Sequence, residues 1–166
     1  MAKIKSLNEL FLEELGDLYN AEKQLVKAIP KMAQATVSVE LRSALQGHLE
    51  QTKNQVNRLE EVFKKLGQKP RGVVCKAMKG IIEEGTEAIH KTDKCAARDA
   101  AIIGAAQRVE HYEIAGYGTA QSHAYLLERE DIGVLLNETL CEEKEADSRL
   151  NELAEGSINL KAKQAV

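Results

Sequence analysis

Apolar residues recur at alternating steps of three and four along most of this chain, which is the spacing of one face of an α-helix. Four stretches are long enough for bundle helices, and we predict them at about residues 6–35, 38–66, 94–125 and 131–155. Proline occurs only twice and tryptophan not at all in the 166 residues. Since helix-forming residues are abundant around them, an all-α fold is expected.

The helix boundaries have recognisable signals. Ser6 and Glu9 have the spacing of a capping box, and Gly67 suits the left-handed turn after a helix. The long connection that follows, residues 67–93, contains one shorter amphipathic segment. Two short connections flanking one long crossover are typical of ferritin-like bundles. We therefore predict a single domain, 1–166, that forms a ferritin-like four-helix bundle with a short fifth helix in its crossover.

Charge and hydropathy exclude several classes of protein. The net charge of −3 provides no basic face, so nucleic acid is not expected as a partner. No run of about eighteen apolar residues is present, and the first residues lack the apolar core of a secretory signal, so we expect a cytoplasmic protein with no membrane partner. The three cysteines are far apart in sequence and are interpreted as reduced thiols. A redox-sensing role of Cys75 or Cys95 is the open alternative.

Acidic residues interrupt the apolar stripes where core side chains are expected. Glu22, Glu110 and Glu143 lie at the centres of the stripes of the first, third and fourth bundle helices. Around those helices, Glu113 lies about 60° from Glu110, and Asp147 lies about 40° to one side of Glu143. Because the three central glutamates are each near the midpoint of a helix, we expect these acids to converge at one level of the bundle.

Buried carboxylates need something to neutralise them, because taking one out of water costs several kcal/mol. The four stripes contain no lysine or arginine, so an internal salt bridge is not expected. Two divalent cations would neutralise the cluster, and an oxygen-rich ligand set without thiolates suits iron or manganese better than zinc or copper. Such a pair leaves coordination positions open for dioxygen, peroxide or water. Carboxyl groups that are protonated and hydrogen-bonded are the alternative.

The second helix presents His48, Thr52 and Gln55 at the same level. Two roles stay open for His48: a metal ligand or support for one, and a partly buried histidine that is hydrogen-bonded within the bundle. For Tyr19 and Tyr117, core packing is favoured over a phenol that bonds a carboxylate.

Several segments resemble a known family. They are LYNAEKQL at 18–25, HLEQT at 48–52, AQRVEHYEIAGYG at 106–118 and EEK at 142–144. These segments are similar to the bacterial ferritin-like stress proteins typified by YciF and YciE, and the likeness extends from about Ser6 to Ala154. The resemblance implies a homodimeric, ferritin-like bundle with a crossover helix, produced in bacteria under stress and similar in layout to rubrerythrin.

The resemblance also bears on the site. Glu110 and Glu113 are similar to the paired glutamates on the third helix of rubrerythrin, and Glu22 and Glu143 match its glutamates on the first and fourth helices. The second helix departs from that pattern, since Thr52-x-x-Gln55 stands where rubrerythrin has Glu-x-x-His. Asp147 is the candidate substitute for a histidine after Glu143.

These observations predict a stress protein with a site for two iron or manganese ions that handles oxygen or peroxide species. Its predicted ligands are Glu22, Glu110, Glu113, Glu143 and Asp147, with His48 as an additional candidate. Whether the protein is an enzyme stays open. The alternative is a structural or interaction module of the same fold whose site is degenerate and binds no metal.

Overall fold

The computed structural model describes residues 3–70 and 73–164, and that part of the chain is helical, with no strand. The helices are α1 (Leu7–Ala35), α2 (Val39–Lys65), α3 (Lys76–Lys91), α4 (Ala96–Leu126) and α5 (Glu130–Leu153), followed by a π-helical turn (Ala154–Ile158) and the short α6 (Asn159–Gln164). The predicted all-α bundle with a fifth helix in the crossover is confirmed. None of the described helices is long and apolar enough to cross a membrane.

The two pairs of helices that are adjacent in the chain form the largest interfaces of the bundle. α1 packs along α2, α4 packs along α5, and α2 and α5 then bring the two pairs together. The crossover helix α3 lies against α4 and α1. All four long helices therefore contribute side chains to one interior.

That interior has two hydrophobic layers with a polar level between them. One layer contains Leu25, Leu45 and Ile103, and the other contains Phe11 and Leu59. On each long helix the residues of one layer precede those of the other, and the acidic positions lie at or next to the boundary between the two. The carboxylates are therefore enclosed above and below by packed apolar side chains.

A carboxylate from α4 orders the connection between α1 and α2. Asp99 is buried and accepts hydrogen bonds from the backbone N–H groups of Val37, at 2.8 Å, and Ser38, at 2.7 Å. Ser38 then caps α2, since its Oγ accepts from the N–H of Leu41 at 3.2 Å. A residue distant in sequence thus fixes where α2 begins.

The crossover helix is anchored to α1 at its first residue. Cys75 caps α3, and its N–H donates to the side chain of Asn20 at 2.9 Å, while its carbonyl accepts from Gln24 at 3.0 Å. All three cysteines lie in the described residues and are free there. At the end of α2, Gly67 adopts a φ of +64°, which is the left-handed turn predicted there.

Candidate metal centre

Four buried side chains converge at the polar level of the bundle. They come from three helices: His48 from α2, Glu110 and Glu113 from α4, and Glu143 from α5. Each provides one ligand atom, and these four atoms lie within 4.8 Å of one another. The Nε2 atom of His48 is 3.4 Å from Oε1 of Glu110 and 3.8 Å from Oε2 of Glu143. The structure therefore brings together three of the predicted acids and the histidine.

Glu22, from α1, is outside this group of four ligand atoms, but it lies close enough for the charge of Glu143 to raise its pKa. Its carboxyl group is fully buried, and its Oε1 accepts a hydrogen bond of 2.5 Å from the phenol of Tyr117, which is also fully buried. The phenol of Tyr19 donates to Glu60 at 2.8 Å, nearer the surface. Both tyrosines therefore pack in the core and also bond a carboxyl group, so the two roles weighed from the sequence are not exclusive.

Many polar atoms of the cluster have no hydrogen-bond partner. Within residues 3–70 and 73–164 these atoms are Oε2 of Glu22, Oε2 of Glu110, both carboxyl oxygens of Glu113, Oε2 of Glu143, Oε1 of Gln55 and both ring nitrogens of His48. Buried polar atoms are hydrogen-bonded in the great majority of cases, so a concentration of exceptions calls for an explanation. Four of these residues, His48, Glu110, Glu113 and Glu143, each place one ligand atom within 4.8 Å of the others, and such carboxylate and imidazole lone pairs fit iron or manganese.

Burial and mutual repulsion both raise the pKa values of acids in the cluster. Burial is the main cause that raises the pKa of Glu22, Glu110 and Glu113 well above its ordinary value. The next cause is the neighbouring Glu143 for Glu22 and for Glu110, and the charge of Glu22 for Glu113. The metal-free cluster therefore retains protons that ordinary carboxylates would lose.

Gln55 closes the cluster on the α2 side. Its Nε2 donates a short hydrogen bond to Oε1 of Glu143 and a second one, of 2.9 Å, to Oε2 of Glu142. Thr52, one turn earlier, is turned toward its own helix, because its hydroxyl donates to the carbonyl of His48 at 3.0 Å. Of the two residues that depart from the rubrerythrin pattern, only Gln55 contacts a carboxylate of the cluster.

Arg58 places a positive charge at the edge of the cluster. Its guanidinium donates two hydrogen bonds of 2.9 Å to Glu142 and one of 2.7 Å to the hydroxyl of Thr139. Its charge also lowers the pKa of Glu22, although the charge of its partner Glu142 raises that pKa by more. The sequence predicted no internal cation, because the backbone position of Arg58 lies off the apolar stripe. The long side chain nevertheless reaches inward, and only 16% of it is exposed.

Asp147 lies outside the group of four ligand atoms. Its Oδ1 is 3.2 Å from Nε2 of Gln107 and 3.5 Å from Nε2 of His111, and 18% of its side chain is exposed. Its charge still acts on Glu110, whose pKa it helps to raise. As a metal ligand, Asp147 stays a prediction.

A surface groove between α2 and α5 leads to the cluster. Its volume is about 740 Å³, and His48 and Glu110 contribute to its walls. Gly47, which has no side chain, and Ala146 line it from α2 and α5, and Arg149 also contributes to its walls. Ions or small molecules could therefore approach the buried carboxylates from this side of the bundle.

Comparison with known proteins gives matches over nearly the whole chain. A family model described as "Domain of unknown function (DUF892)" matches residues 6–163. Protein YciF of Escherichia coli (strain K12) is 44% identical over 160 residues, which make up 96% of this chain and 96% of that protein. These matches include all of the helices that contribute to the cluster.

Solved structures of similar proteins also match this chain over nearly its whole length. The crystal structure of the E. coli stress protein YciF has a TM-score of 0.90 at 44% identity and covers 94% of this chain and 99% of that one. YcfI of Rhodopseudomonas palustris has a TM-score of 0.87 at 47% identity and covers 90% of this chain and 95% of that one. A protein of Xanthomonas campestris pv. campestris, 21% identical, has a TM-score of 0.77, covers 96% of this chain and 98% of that one, and shows the fold alone.

Proposed function

This chain belongs to the DUF892 family, and on that premise we propose that it is a stress protein that binds iron or manganese ions in its carboxylate cluster. Two ions would together neutralise Glu22, Glu110, Glu113 and Glu143, with His48 as a nitrogen ligand. Metal bound there would supply redox chemistry toward dioxygen or a peroxide.

The observation that carries this proposal is the concentration of unpartnered ligand atoms. In the described part of the chain, three buried carboxyl groups and an imidazole place ligand atoms within 4.8 Å of one another, and none of the groups is paired with lysine or arginine. Each buried carboxylate costs several kcal/mol unless a positive charge lies beside it. Divalent cations at this position would remove that cost and give the unpartnered lone pairs their partners.

The chain's own residues would set the geometry of the centre. Tyr117 holds one oxygen of Glu22 and leaves the other free, so this carboxyl group has a fixed orientation. Packed apolar layers on both sides restrict water to the groove between α2 and α5, where His48 and Glu110 are reached. The centre would therefore meet small oxygen species from one side.

The direct experiment measures metal content. Wild-type protein is loaded with iron(II) or manganese(II) without chelators, passed through a desalting column and analysed for metal per chain. The double variant with Glu110→Gln and Glu143→Gln should lose stoichiometric metal, because it removes two of the ligand carboxylates. A matched control is the double variant with Glu84→Gln and Glu155→Gln, which removes the same charge from two exposed positions and should keep the metal.

A thermal measurement separates this function from that of a metal-free module. A ligand that binds only the folded state raises the free energy of unfolding, by about 2.7 kcal/mol at 100 times its Kd. The melting temperature therefore rises with the ligand concentration. Iron or manganese should therefore raise the melting temperature of the wild type and leave that of the Glu110→Gln, Glu143→Gln variant unchanged. No shift in the wild type, together with unchanged metal content in the variant, would favour the module.

A further inference from the structure

His48 and Gln55 lie beside different oxygens of one carboxyl group, that of Glu143. They are seven residues apart on α2, which is about two helical turns. Oε2 of Glu143 is 3.8 Å from Nε2 of His48, while Oε1 of Glu143 accepts a hydrogen bond from Nε2 of Gln55. The side of Glu143 that faces His48, here called the His48 end, therefore differs chemically from the side that faces Gln55, the Gln55 end.

The His48 end offers a complete set of ligands. Both ring nitrogens of His48 lack a partner in the described chain, and Nε2 faces the oxygens of Glu110 and Glu143. A neutral imidazole nitrogen is a good ligand for iron and manganese, and three carboxylates supply the negative charge. One ion at this end would have four protein ligands.

At the Gln55 end, the side-chain amide N–H groups of Gln55 face carboxyl groups that would otherwise bind a metal ion. The amide nitrogen donates to two carboxyl groups, those of Glu142 and Glu143. This orientation is the favourable one, because reversing the amide would place its oxygen against both acidic groups. What Gln55 leaves for an ion is one neutral oxygen, Oε1, which carries no formal charge.

A guanidinium also engages a carboxylate at this end. Arg58 binds Glu142 through two hydrogen bonds, so that carboxylate is already neutralised and is not free to act as a ligand. Both partners of this ion pair lie close enough to influence Glu22, whose pKa the charge of Glu142 raises more than that of Arg58 lowers it. The Glu22 side of the cluster therefore has one fewer available carboxylate than its acidic residues suggest.

We infer that the centre binds its two ions unequally: one tightly through His48, Glu110, Glu113 and Glu143, and a second one weakly beside Glu22, because Gln55 and Arg58 occupy that end. The inference rests on the proposed metal binding and makes Gln55 the residue that sets the stoichiometry. At moderate concentrations of metal, the protein would hold one ion per chain and leave the second position free.

The test titrates metal-free protein with manganese(II) and measures bound and free metal by equilibrium dialysis. The wild type should bind one ion per chain first, and a second one at least about tenfold more weakly. Gln55→Glu should increase the affinity for the second ion by about tenfold or more, since it replaces the amide with a carboxylate. Gln46→Glu is the matched control: it makes the same change on the same helix at an exposed position, and it should keep the wild-type pattern.

Gln55→Glu adds another acid to a buried cluster, so its fold is checked by circular dichroism before the titration. Arg58→Gln is the second variant, because it releases the carboxylate of Glu142, which is partly exposed, to act as a ligand. It should also tighten the second ion.

The possible results separate the inference from the proposed function. Two equally tight ions in the wild type would overturn the inference and leave the metal site intact. So would folded Gln55→Glu and Arg58→Gln proteins whose second ion binds as weakly as in the wild type. No bound manganese or iron in the folded wild type would instead refute the proposed function itself.

Discussion

The phenol of Tyr117 on α4 donates a 2.5 Å hydrogen bond to Oε1 of Glu22 on α1, across the centre of the bundle. Both side chains are fully buried. Burial, together with the charge of Glu22, raises the pKa of Tyr117 well above its ordinary value, so the phenol keeps its proton and acts as the donor. This pair links the carboxylate cluster to the apolar layer that contains Tyr117.

Replacing Tyr117 with Phe should destabilise the protein by about 1–3 kcal/mol, because it leaves a buried acceptor without its donor. The measurement is the free energy of unfolding in urea, with metal removed. Tyr19→Phe is the control, since its partner Glu60 is exposed and can bond water instead. Its cost should stay below about 1 kcal/mol. Equal losses in the two variants would contradict a special role of the buried pair.

Metal-free protein should lose stability as the pH rises above about 4.3, the ordinary pKa of glutamate. Glu22, Glu110 and Glu113 have raised pKa values in the folded state, so in this range the folded chain binds more protons than the unfolded one. The free energy of unfolding therefore falls with pH until those raised values are passed.

Urea unfolding at several pH values in the presence of a chelator checks this slope. Glu110→Gln removes one of the titrating acids and should make the slope shallower. Saturating manganese should remove most of the loss at high pH, because the ions replace the protons. A free energy of unfolding that rises between pH 5 and pH 8 without metal would count against buried, repelling carboxyl groups.

Narrowing the groove should slow the uptake of metal without reducing its final amount. Gly47 lies in the groove wall and is exposed, and a Cβ added there meets no heavy atom within 4 Å. Gly47→Leu would therefore fold, with a gain of up to about 1 kcal/mol in helix propensity, and place a side chain over the entrance. Stopped-flow measurement of iron(II) uptake should show a slower rate for this variant.

Gly80→Leu is the control for that experiment, because Gly80 lies on α3, away from the groove, and also has open space around it. It should take up metal at the wild-type rate. If the two variants load equally fast, ions reach the cluster by another route.

Two glycines of α4 should respond in opposite directions to alanine. A Cβ on Gly116 would come within 2.8 Å of Cδ2 of Leu18, whose side chain is buried between α1 and α4, whereas a Cβ on Gly118 meets nothing within 4 Å. Gly116→Ala should cost about 1–3 kcal/mol through overpacking. Gly118→Ala should stabilise the helix by up to about 1 kcal/mol. Thermal unfolding of both variants measures the difference, and a stabilised Gly116→Ala protein would show that Leu18 can move aside.

The helices could be predicted from local information, because a helix bonds its own backbone and its signals lie within a few residues. Ser6 accepts a hydrogen bond from the N–H of Glu9 at 3.2 Å, as expected of half a capping box. The carboxylate of Glu9 accepts from the N–H of Lys5 instead of that of Ser6, so the reciprocal bond expected of a capping box is not formed. The predicted fourth bundle helix ended at residue 155, whereas α5 passes into a π-helical turn at Ala154.

The inward direction of Glu22, Glu110 and Glu143 also followed from the sequence, because each of these residues occupies the apolar face of its own helix. The roles of Gln55 and Arg58 did not. Gln55 bonds Glu142 and Glu143, and Arg58 bonds Glu142; both acids lie on another helix, more than 80 residues further along the chain. The spacing of Gln55 and Arg58, three residues apart on α2, was the available signal, since it places them on one side of that helix.

The sequence by itself determined which side chains face the interior, because helical period is a property of each segment alone. Only the tertiary structure decided which of them meet. His48 joins Glu110 and Glu143, while Asp147 lies with Gln107 and His111 at the edge. The physical reason is that relative height and rotation of helices are set by how α1, α2, α4 and α5 pack. The reach of a long side chain such as Arg58 then depends on the neighbours that this packing provides.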